Sequence, residues 1–382
     1  MLHLYSRCYL RILYVVPGPE RFGAHTKWGA NVAESGGLSD LTRRSFLRFI
    51  GLILPRDSQV ARDLAAGLKV GLGSSTAAPV ELLASTSAGG PFSIERVARQ
   101  LIAERQAGAV VGLSDTHVAA HLHPLLAEHG THFVAATTGA NVVRAAEQSP
   151  FLHHVSLRYW QANWAMGRWA AKQMGRKAFV AASLYESGYD ALAAFQAGFE
   201  SAGGTVVETQ ITDQRVIWAD LMAAIRSARP DLVFACYSGS KAVDFVKQCE
   251  KAGLTGLLPL AASAFAVDEA RLPDMGESAE GIVSCFSWAP SLKTQANKAF
   301  AIAYEAVTGC SPNAYALLGY NTAAAIGGPT APEGDEPLYV RVVRSKAHEI
   351  LTQVNAVSER DNKLKPLRTA VRTGWMHSYR GI

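Results

Sequence analysis

The 382-residue sequence lacks several patterns that would place it quickly in a functional class. The formal net charge is +5, but no dense block of lysine and arginine is present, which argues against nucleic acid as a partner. No apolar run approaches the roughly 20 residues that a membrane-spanning helix needs. None of the five cysteines form a C-x-x-C pair, so a zinc site of that kind is not expected, and Cys236 and Cys249 are interpreted as small buried hydrophobic residues.

Catalytic patterns are also scarce. No G-x-S-x-G motif is present, and Gly71-Leu-Gly73, which faintly suggests a dinucleotide loop, ends a predicted helix and lacks the third glycine of that fingerprint. Asp115, His117, His121 and His123 could suggest a metal cluster, but no glutamate lies between the histidines as in H-E-x-x-H, and a solvated helix face explains them better. We therefore predict no catalytic residue, no metal and no cofactor, and a Rossmann-like enzyme is kept as the alternative from another functional class.

What the sequence does contain is an alternation of strand-like and helical patterns from about Phe49 to Gly327. Residues 98–112 and residues 220–236 each have the pattern of a helix, a short turn and a buried strand. Strands that alternate with helices pair in parallel through right-handed crossovers. We predict an α/β fold of two doubly wound parallel-sheet lobes, with a ligand cleft between them at the carboxyl ends of the strands.

The same alternation sets the expected domain boundaries. The prediction assigns residues 1–47 to an N-terminal extension, 48–155 with 281–328 to lobe 1, 156–280 to lobe 2, and 329–382 to a C-terminal tail. Residues 281–288 are predicted to form a strand that returns to the first lobe. In the tail, a breaker-rich segment precedes a predicted strand at 338–343 and a predicted helix at 347–357, which have no place in the two-lobed scheme.

Four phrases of the sequence resemble a known family. They are Phe49-Ile-Gly-Leu-Ile-Leu-Pro55, Ala107-Gly-Ala-Val-Val-Gly-Leu113, Glu277-Ser-Ala-Glu-Gly-Ile-Val283 and Tyr315-Ala-Leu-Leu-Gly-Tyr-Asn321. The first two are generic in α/β proteins, and the last two are more specific. Over about residues 49–327 the chain resembles type I periplasmic solute-binding proteins of ABC importers, the leucine/isoleucine/valine-binding group.

This resemblance implies a function. It implies a protein that is not an enzyme, that works in the periplasm and that closes its lobes on a small carboxylate-bearing solute, a branched-chain amino acid or a related amino or aromatic acid. The implied partners are this solute and the membrane subunits of an ABC importer, with the chain itself a monomer. Since fold alone does not separate transport from sensing, a ligand-sensing regulator or receptor domain is the alternative on the same fold.

The resemblance also implies a binding site. In the family, Ser/Thr hydroxyls and backbone N–H groups at strand ends of the first lobe hold the solute carboxylate, and helix N-termini favour such an anion on general grounds. The matching positions are Thr116, Thr137, Thr138 and Gly139. Loops of the second lobe supply Tyr185, Ser187, Tyr237 and Ser238, with Tyr159 and Trp160 as further residues that could face the cleft. The alternative is that these residues are ordinary caps and turns.

One departure from the family concerns the solute amine. Amino-acid binders of the family usually carry a carboxylate after the strand that corresponds to 257–262, whereas this loop has no acid before Asp268. Because an unpaired buried ammonium is costly, the sequence favours either an uncharged or aromatic carboxylate or another acid such as Glu186.

The N-terminal region offers an ambiguous export signal. Leu41-Thr-Arg-Arg-Ser-Phe-Leu47 matches a twin-arginine motif at Arg43 and Arg44. The apolar segment behind it is short and suits the first strand of the fold equally well. Both ends of the chain depart from the family pattern, so the predicted periplasmic location depends on the resemblance.

Overall fold

The computed structural model describes residues 49–55, 58–75, 81–87, 91–141, 149–327 and 337–354. The predicted N-terminal extension with its twin-arginine motif, and the tail beyond residue 354, lie outside the described residues. Within the described ranges, no helix is both long enough and apolar enough to cross a membrane.

The first lobe is a parallel sheet of five strands in the order β2-β1-β3-β4-β5. The interior strand β1 is buried on both faces, as expected for a strand covered by helices on both sides. The strands are β1 (Phe49–Pro55), β2 (Glu81–Ser87), β3 (Ala109–Leu113), β4 (His132–Thr137) and β5 (Leu152–Ser156). The helices are α1 (Gln59–Ser75), α2 (Pro91–Arg99) with a π-helical turn at Gln100–Glu104, α3 (Thr116–Ala120) and α4 (His123–His129).

The second lobe is a seven-stranded sheet in the order β12-β11-β10-β9-β8-β6-β7. Its strands are β6 (Lys177–Ser183), β7 (Thr205–Thr212), β8 (Leu232–Cys236), β9 (Leu260–Ala262), β10 (Val283–Phe286), β11 (Leu338–Arg344) and β12 (Ala347–Val354). Its helices are α5 (Tyr159–Gln173), α6 (Asp190–Ser201), α7 (Trp218–Ala228), α8 (Gly239–Lys251) and α9 (Leu272–Met275). Cys236 and Cys249 are buried in this lobe, which confirms their interpretation as core residues.

Two predictions about the C-terminal third are wrong. The strand at Val283–Phe286 pairs in parallel with β9 in the second sheet and does not return to the first lobe, because residues 263–282 form a helical crossover that brings the chain back beside the preceding strand. Residues Ala347–Val354 form β12 and not a helix. A two-residue turn at Ser345 and Lys346, both at positive φ, folds β12 back on β11 as an antiparallel hairpin, and this pairing overrides local propensity.

Between β10 and β11 the chain returns to the first lobe through two helices, α10 (Gln295–Thr308) and α11 (Ala314–Gly327). α11 crosses α1 at very short range. A Cβ atom on Gly67 would lie 1.9 Å from the Ala316 carbonyl oxygen, and one on Gly319 would lie 2.0 Å from the Leu64 carbonyl oxygen. Glycine at these positions therefore lets the two helix backbones touch.

Candidate functional site

Loops at the carboxyl ends of the strands bring the two lobes together. In the first lobe, β3 and β4 are neighbours, and in the second lobe β9, β8 and β6 are neighbours. Polar residues follow each of these five strands. In wound parallel sheets this is the edge at which ligands bind.

Thr137 and Gly139 form a tight turn after β4. The Gly139 N–H donates to the Thr137 Oγ1 at 2.9 Å, and Gly139 has φ +74°, where a Cβ atom would lie 2.9 Å from the Arg158 backbone nitrogen. Only glycine fits there without strain. Because the Thr137 hydroxyl accepts this bond, its own hydrogen is left for donation to another group, whereas the Gly139 N–H is already engaged.

Thr138 and Thr116 lie beside this turn. The Thr138 carbonyl accepts a hydrogen bond from the Tyr159 N–H at 3.1 Å, so the turn is joined to the crossover into the second lobe. Thr116 is buried at the first position of α3, and its N–H donates to the Asp115 carboxylate at 3.2 Å. The helix predicted to begin near Ala140 falls on residues 142–148, which lie outside the described residues.

Asn141 connects the two lobes, and sequence reasoning missed it. Its side-chain amide donates to both carboxylate oxygens of Asp115, at 3.0 and 2.9 Å. Its Oδ1 accepts from the Asp190 N–H at 3.1 Å, and the neighbouring Ala140 carbonyl accepts from the Ala191 N–H at 2.9 Å. The first lobe therefore caps the N-terminus of α6 in the second lobe. The only local signal was an Asn in a Gly-containing loop after a strand, which does not reveal so distant a partner.

Asp115 thus has a structural partner in place of the metal site considered from the sequence. Its Oδ2 lies 4.0 Å from His117 Nδ1. In the part of the chain that the structure describes, no three His, Cys, Asp or Glu side chains are arranged to hold a metal ion.

Tyr185 and Ser187 lie on a turn after β6. The Tyr185 side chain is 45% exposed, and its hydroxyl accepts a hydrogen bond from the Tyr189 hydroxyl at 3.0 Å. The Ser187 hydroxyl donates to the Leu184 carbonyl at 2.8 Å. Both polar groups therefore hold the turn itself.

Tyr237 and Ser238 follow β8 but face different surroundings. Tyr237 is fully buried, stacks on Phe245 with 4.8 Å between ring centroids, and accepts a hydrogen bond from the Thr212 hydroxyl at 3.3 Å. Burial raises the pKa of the Tyr237 hydroxyl. Its ring belongs to the core of the second lobe. Ser238 precedes α8, and its hydroxyl hydrogen-bonds the carboxyl group of Glu186.

Glu186 is the centre of a buried polar cluster that joins three strand ends. It is only 5% exposed, and burial raises the pKa of its carboxyl group, while the hydrogen bond from Ser238 opposes that rise. The Tyr159 hydroxyl lies 3.9 Å from the Cys236 sulfur, and the charge of Glu186 raises the pKa of both groups beyond the effect of burial. Ser263, one residue past β9, is buried beside them.

Tyr159 also begins an aromatic contact between the lobes. Its ring centroid lies 4.7 Å from that of Phe265, and Phe265 stacks on Tyr315 of α11 at 5.9 Å. Trp160 is buried, and its N–H donates to the Gly139 carbonyl at 2.8 Å. The crossover residues therefore support both sides of the candidate site.

Two wound sheets whose strand-end loops meet define an α/β protein with a site between its lobes. A sequence profile of the family described as periplasmic binding protein matches residues 50–328. The chain belongs to this periplasmic binding protein family. The predicted fold class and the resemblance to the Leu/Ile/Val-binding group are confirmed.

Curated relatives match a shorter part of the chain. Leu/Ile/Val-binding protein homolog 6 from Brucella melitensis biotype 1 is 27% identical over 213 residues, which are 55% of this chain and 54% of that protein. The protein of the same name from Brucella suis biovar 1 is 26% identical over the same length. The chain thus spans about half the length of the curated relatives it matches.

Solved structures share the fold over a larger region. An ABC transporter substrate-binding protein from Sphaerobacter thermophilus has a TM-score of 0.72 at 22% identity, covering 81% of this chain and 98% of that one. A solute-binding protein from Rhodopseudomonas palustris in complex with p-hydroxybenzoic acid has a TM-score of 0.69 at 21% identity, and the match covers 82% of this chain and 98% of that one. A leucine-binding protein from Thermotoga maritima has a TM-score of 0.64 at 18% identity, and the match covers 80% of this chain and 98% of that one. These identities show a common fold.

Proposed function

We propose that this chain is the extracytoplasmic solute-binding component of an ABC importer and that its lobes close on a small solute bearing a carboxylate. The observation that carries the proposal is the meeting of strand-end loops across the two lobes, where Asn141 and Ala140 bond the first turn of α6. Loops that meet where two lobes face each other are suited to enclose a solute by hinge motion. The family and the names of the similar solved structures support the same role.

The proposed carboxylate contacts are in the first lobe. They are Thr116, Thr137, Thr138 and the backbone around Gly139, while Ser238 of the second lobe stays a prediction because its hydroxyl is engaged by the Glu186 carboxyl group. The free hydrogen of the Thr137 hydroxyl favours it as a donor, because its oxygen already accepts from Gly139. Tyr185 and Ser187 stay predictions, since their hydroxyl groups bond within their own turn. Tyr237 is left out of the proposed contacts because its ring lies in the core.

The partners in this proposal are the solute and the membrane subunits of an importer, and the proposed form is a monomer in the periplasm. The reaction class is binding without covalent chemistry. Amino acids and aromatic acids are both candidate solutes, since the similar structures include a leucine-binding protein and a complex with p-hydroxybenzoic acid.

Calorimetry on Thr137→Ala tests the site. After a thermal-shift screen of amino, aromatic and aliphatic acids has identified a ligand, the variant should bind it about 1.5–3 kcal/mol more weakly, because a hydrogen bond to a charged group is lost. Thr131→Ala is the matched control, since Thr131 is a buried threonine just before the opposite end of the same strand. Wild-type affinity in Thr137→Ala would show that the site assignment is wrong.

A further inference from the structure

Seven of the chain's eleven histidines lie between residues 117 and 154, in the first lobe. The side chains of two of them meet, with His132 Nδ1 2.8 Å from His153 Nε2. Their ring centroids are 5.1 Å apart, and the Phe151 ring packs against His132 at 5.6 Å. A hydrogen bond between two ring nitrogens needs one nitrogen with a free lone pair, so at least one of these rings is neutral.

The strand register explains why the two histidines meet. β4 and β5 are parallel, with Val134 opposite His153, and His132 precedes Val134 by two residues. Since side chains alternate along a strand, His132 and His153 stand on the same face of the sheet, as diagonal neighbours on adjacent strands. His154 comes next along β5 and stands on the opposite face. Sequence patterns missed the pair because its members are 21 residues apart.

The pair is accessible and has few other partners. Both rings are half-buried, and within the described residues neither takes part in an ion pair or in a second hydrogen bond. The other histidines of the lobe differ in this respect. His123 Nδ1 is bonded to Ser149 Oγ at 2.7 Å, and His117 Nδ1 lies 4.0 Å from an Asp115 oxygen. A ligand that entered between the paired rings would therefore displace a single hydrogen bond.

The spacing of the two nitrogens suits a metal ion. Imidazole nitrogens bind zinc at about 2.0–2.1 Å, so two of them lie roughly 2.9 Å apart at a right angle and roughly 3.3 Å apart at a tetrahedral angle. The observed 2.8 Å is close to the right-angle value, which is the angle of square-planar Cu(II) and Ni(II) sites. Rotation about the soft ring torsions would direct both lone pairs at one ion. Water would complete the coordination, since the described residues place no third ligand there.

We propose that His132 and His153 form a binding site for a late first-row divalent metal ion, such as Cu(II), Ni(II) or Zn(II). This site goes beyond the proposed function and departs from the sequence-based expectation of no metal. β5 is the outer strand of the first sheet, so the ion would tie it to β4. His132 begins β4, and Thr137 ends it five residues later, which separates the ion from the proposed solute contacts by roughly 16 Å of strand.

Thermal unfolding of the full, untagged chain tests the site after a chelator has removed bound metal. Cu(II), Ni(II) and Zn(II) should raise the unfolding midpoint, with Cu(II) effective at the lowest concentration, whereas Mg(II), which prefers oxygen ligands, should not. In calorimetry, His132→Gln and His153→Gln should each weaken Cu(II) binding by at least about 10-fold. Electron paramagnetic resonance of the Cu(II) complex should show two imidazole nitrogens in the wild type and one in each variant.

His121→Gln is the matched control, because His121 is an exposed histidine of the same lobe outside the pair, and it should bind Cu(II) as the wild type does. Unfolding without metal verifies that each variant is folded. Equal binding by the wild type and both pair variants, or an equal loss in His121→Gln, overturns the proposal. A wild-type Cu(II) spectrum without two nitrogen ligands also overturns it, and that result requires no variant to fold.

The metal site and the proposed function fail separately. Because the ion lies at the opposite end of β4 from the Thr137 turn, affinity for the solute found by the screen should be the same with and without Zn(II). A change in that affinity would contradict the placement of the ion. Metal binding in a chain that binds no acid would overturn the proposed function and leave the metal site standing.

Discussion

The two lobes use one framework and differ at its edges. The strand order β2-β1-β3-β4-β5 in the first lobe is matched by β7-β6-β8-β9-β10 in the second. Their outer helices also cross in the same manner. α11 touches α1 at Gly319 and Gly67, and α5 touches α6 at Gly167 and Gly198, where added Cβ atoms would lie 1.9–2.2 Å from a facing carbonyl oxygen. The shared part therefore includes backbone contact between helices as well as strand order.

The differences concern the hairpin β11–β12 and the buried charges. Arg341 on β11 is 1% exposed and makes four hydrogen bonds, to Glu269 at 2.8 Å, the Trp288 carbonyl at 3.0 Å, Ser284 at 3.1 Å and the Ala264 carbonyl at 3.2 Å. Glu186 is almost as buried, but among the residues that the structure describes its carboxyl group has one hydroxyl donor, Ser238. The two buried charges therefore differ in their number of hydrogen-bond partners.

The largest effect on stability is expected in the hairpin β11–β12, which has no counterpart in the first lobe. Arg341→Met should cost roughly 3–5 kcal/mol of unfolding free energy, because Glu269 is left without its cation and two carbonyl groups lose their donor. Urea unfolding measures this loss. Arg344→Ala on the same strand removes only an exposed pair with Glu280 and should change stability by less than about 1 kcal/mol. Equal losses in the two variants would mean that the hairpin contributes little to the second lobe.

The helix crossing shared by both lobes gives the next effect. Gly67→Ala should cost about 1–3 kcal/mol, because its Cβ would collide with the backbone of α11. Gly73→Ala, on the same helix with open space around it, should instead stabilise the chain by up to about 1 kcal/mol through helix propensity. Gly198→Ala should repeat the loss in the second lobe. If only one lobe responds, the two crossings are not equivalent.

The contact between the lobes should have a smaller effect. Asn141→Ala removes the amide that joins Asp115 to the N-terminus of α6, and solute affinity should weaken by about 1–2 kcal/mol as closure loses these bonds. Calorimetry with the solute identified by the screen checks this. Asn297→Ala breaks bonds to Trp288, Pro290 and Leu292 close by in sequence and should lower stability without changing affinity. Identical affinities for Asn141→Ala and the wild type would mean that this contact does not contribute to closure of the lobes on the solute.

The smallest effect is a change in pH dependence. Burial raises the pKa of Glu186, so the folded chain retains a proton that the unfolded chain releases at lower pH. The stability from this group is complete below the ordinary carboxyl pKa and is lost as pH rises through the folded pKa. Glu186→Gln should therefore lose less stability than the wild type between acidic and neutral pH when no ligand is present.

Urea unfolding at a series of pH values measures that difference. Asp63 and the partly buried Glu269 also have a raised pKa, through desolvation first, but they are present in both proteins and their contributions cancel. As a control, Glu200→Gln at an exposed acid on α6 should retain the wild-type slope of unfolding free energy against pH. Parallel slopes for Glu186→Gln and the wild type would show that the carboxyl group is not held in its protonated form.

Patterns along the chain predicted the wound lobes but not the contacts made across them. The alternation around β1, β3 and β8 is local, and these strands lie within a residue or two of the predicted positions. The hairpin was missed because the turn at Ser345 and Lys346 adopts positive φ in residues that rarely do so. Asn141 was missed because its partners are 26 and 49 residues away. Tyr237 was expected at the cleft because its loop follows a strand end, while its ring turns inward onto Phe245.

Three successive backbone bonds fasten the Thr137 turn to the crossover, from the N–H groups of Leu157, Tyr159 and Trp160 to the carbonyls of Thr137, Thr138 and Gly139. Inserting or deleting one residue in either segment would shift the register of the two segments and break all three hydrogen bonds. New specificities in such a chain should therefore arise by exchanging side chains on a turn of constant length, and variation in loop length should accumulate elsewhere on the rim.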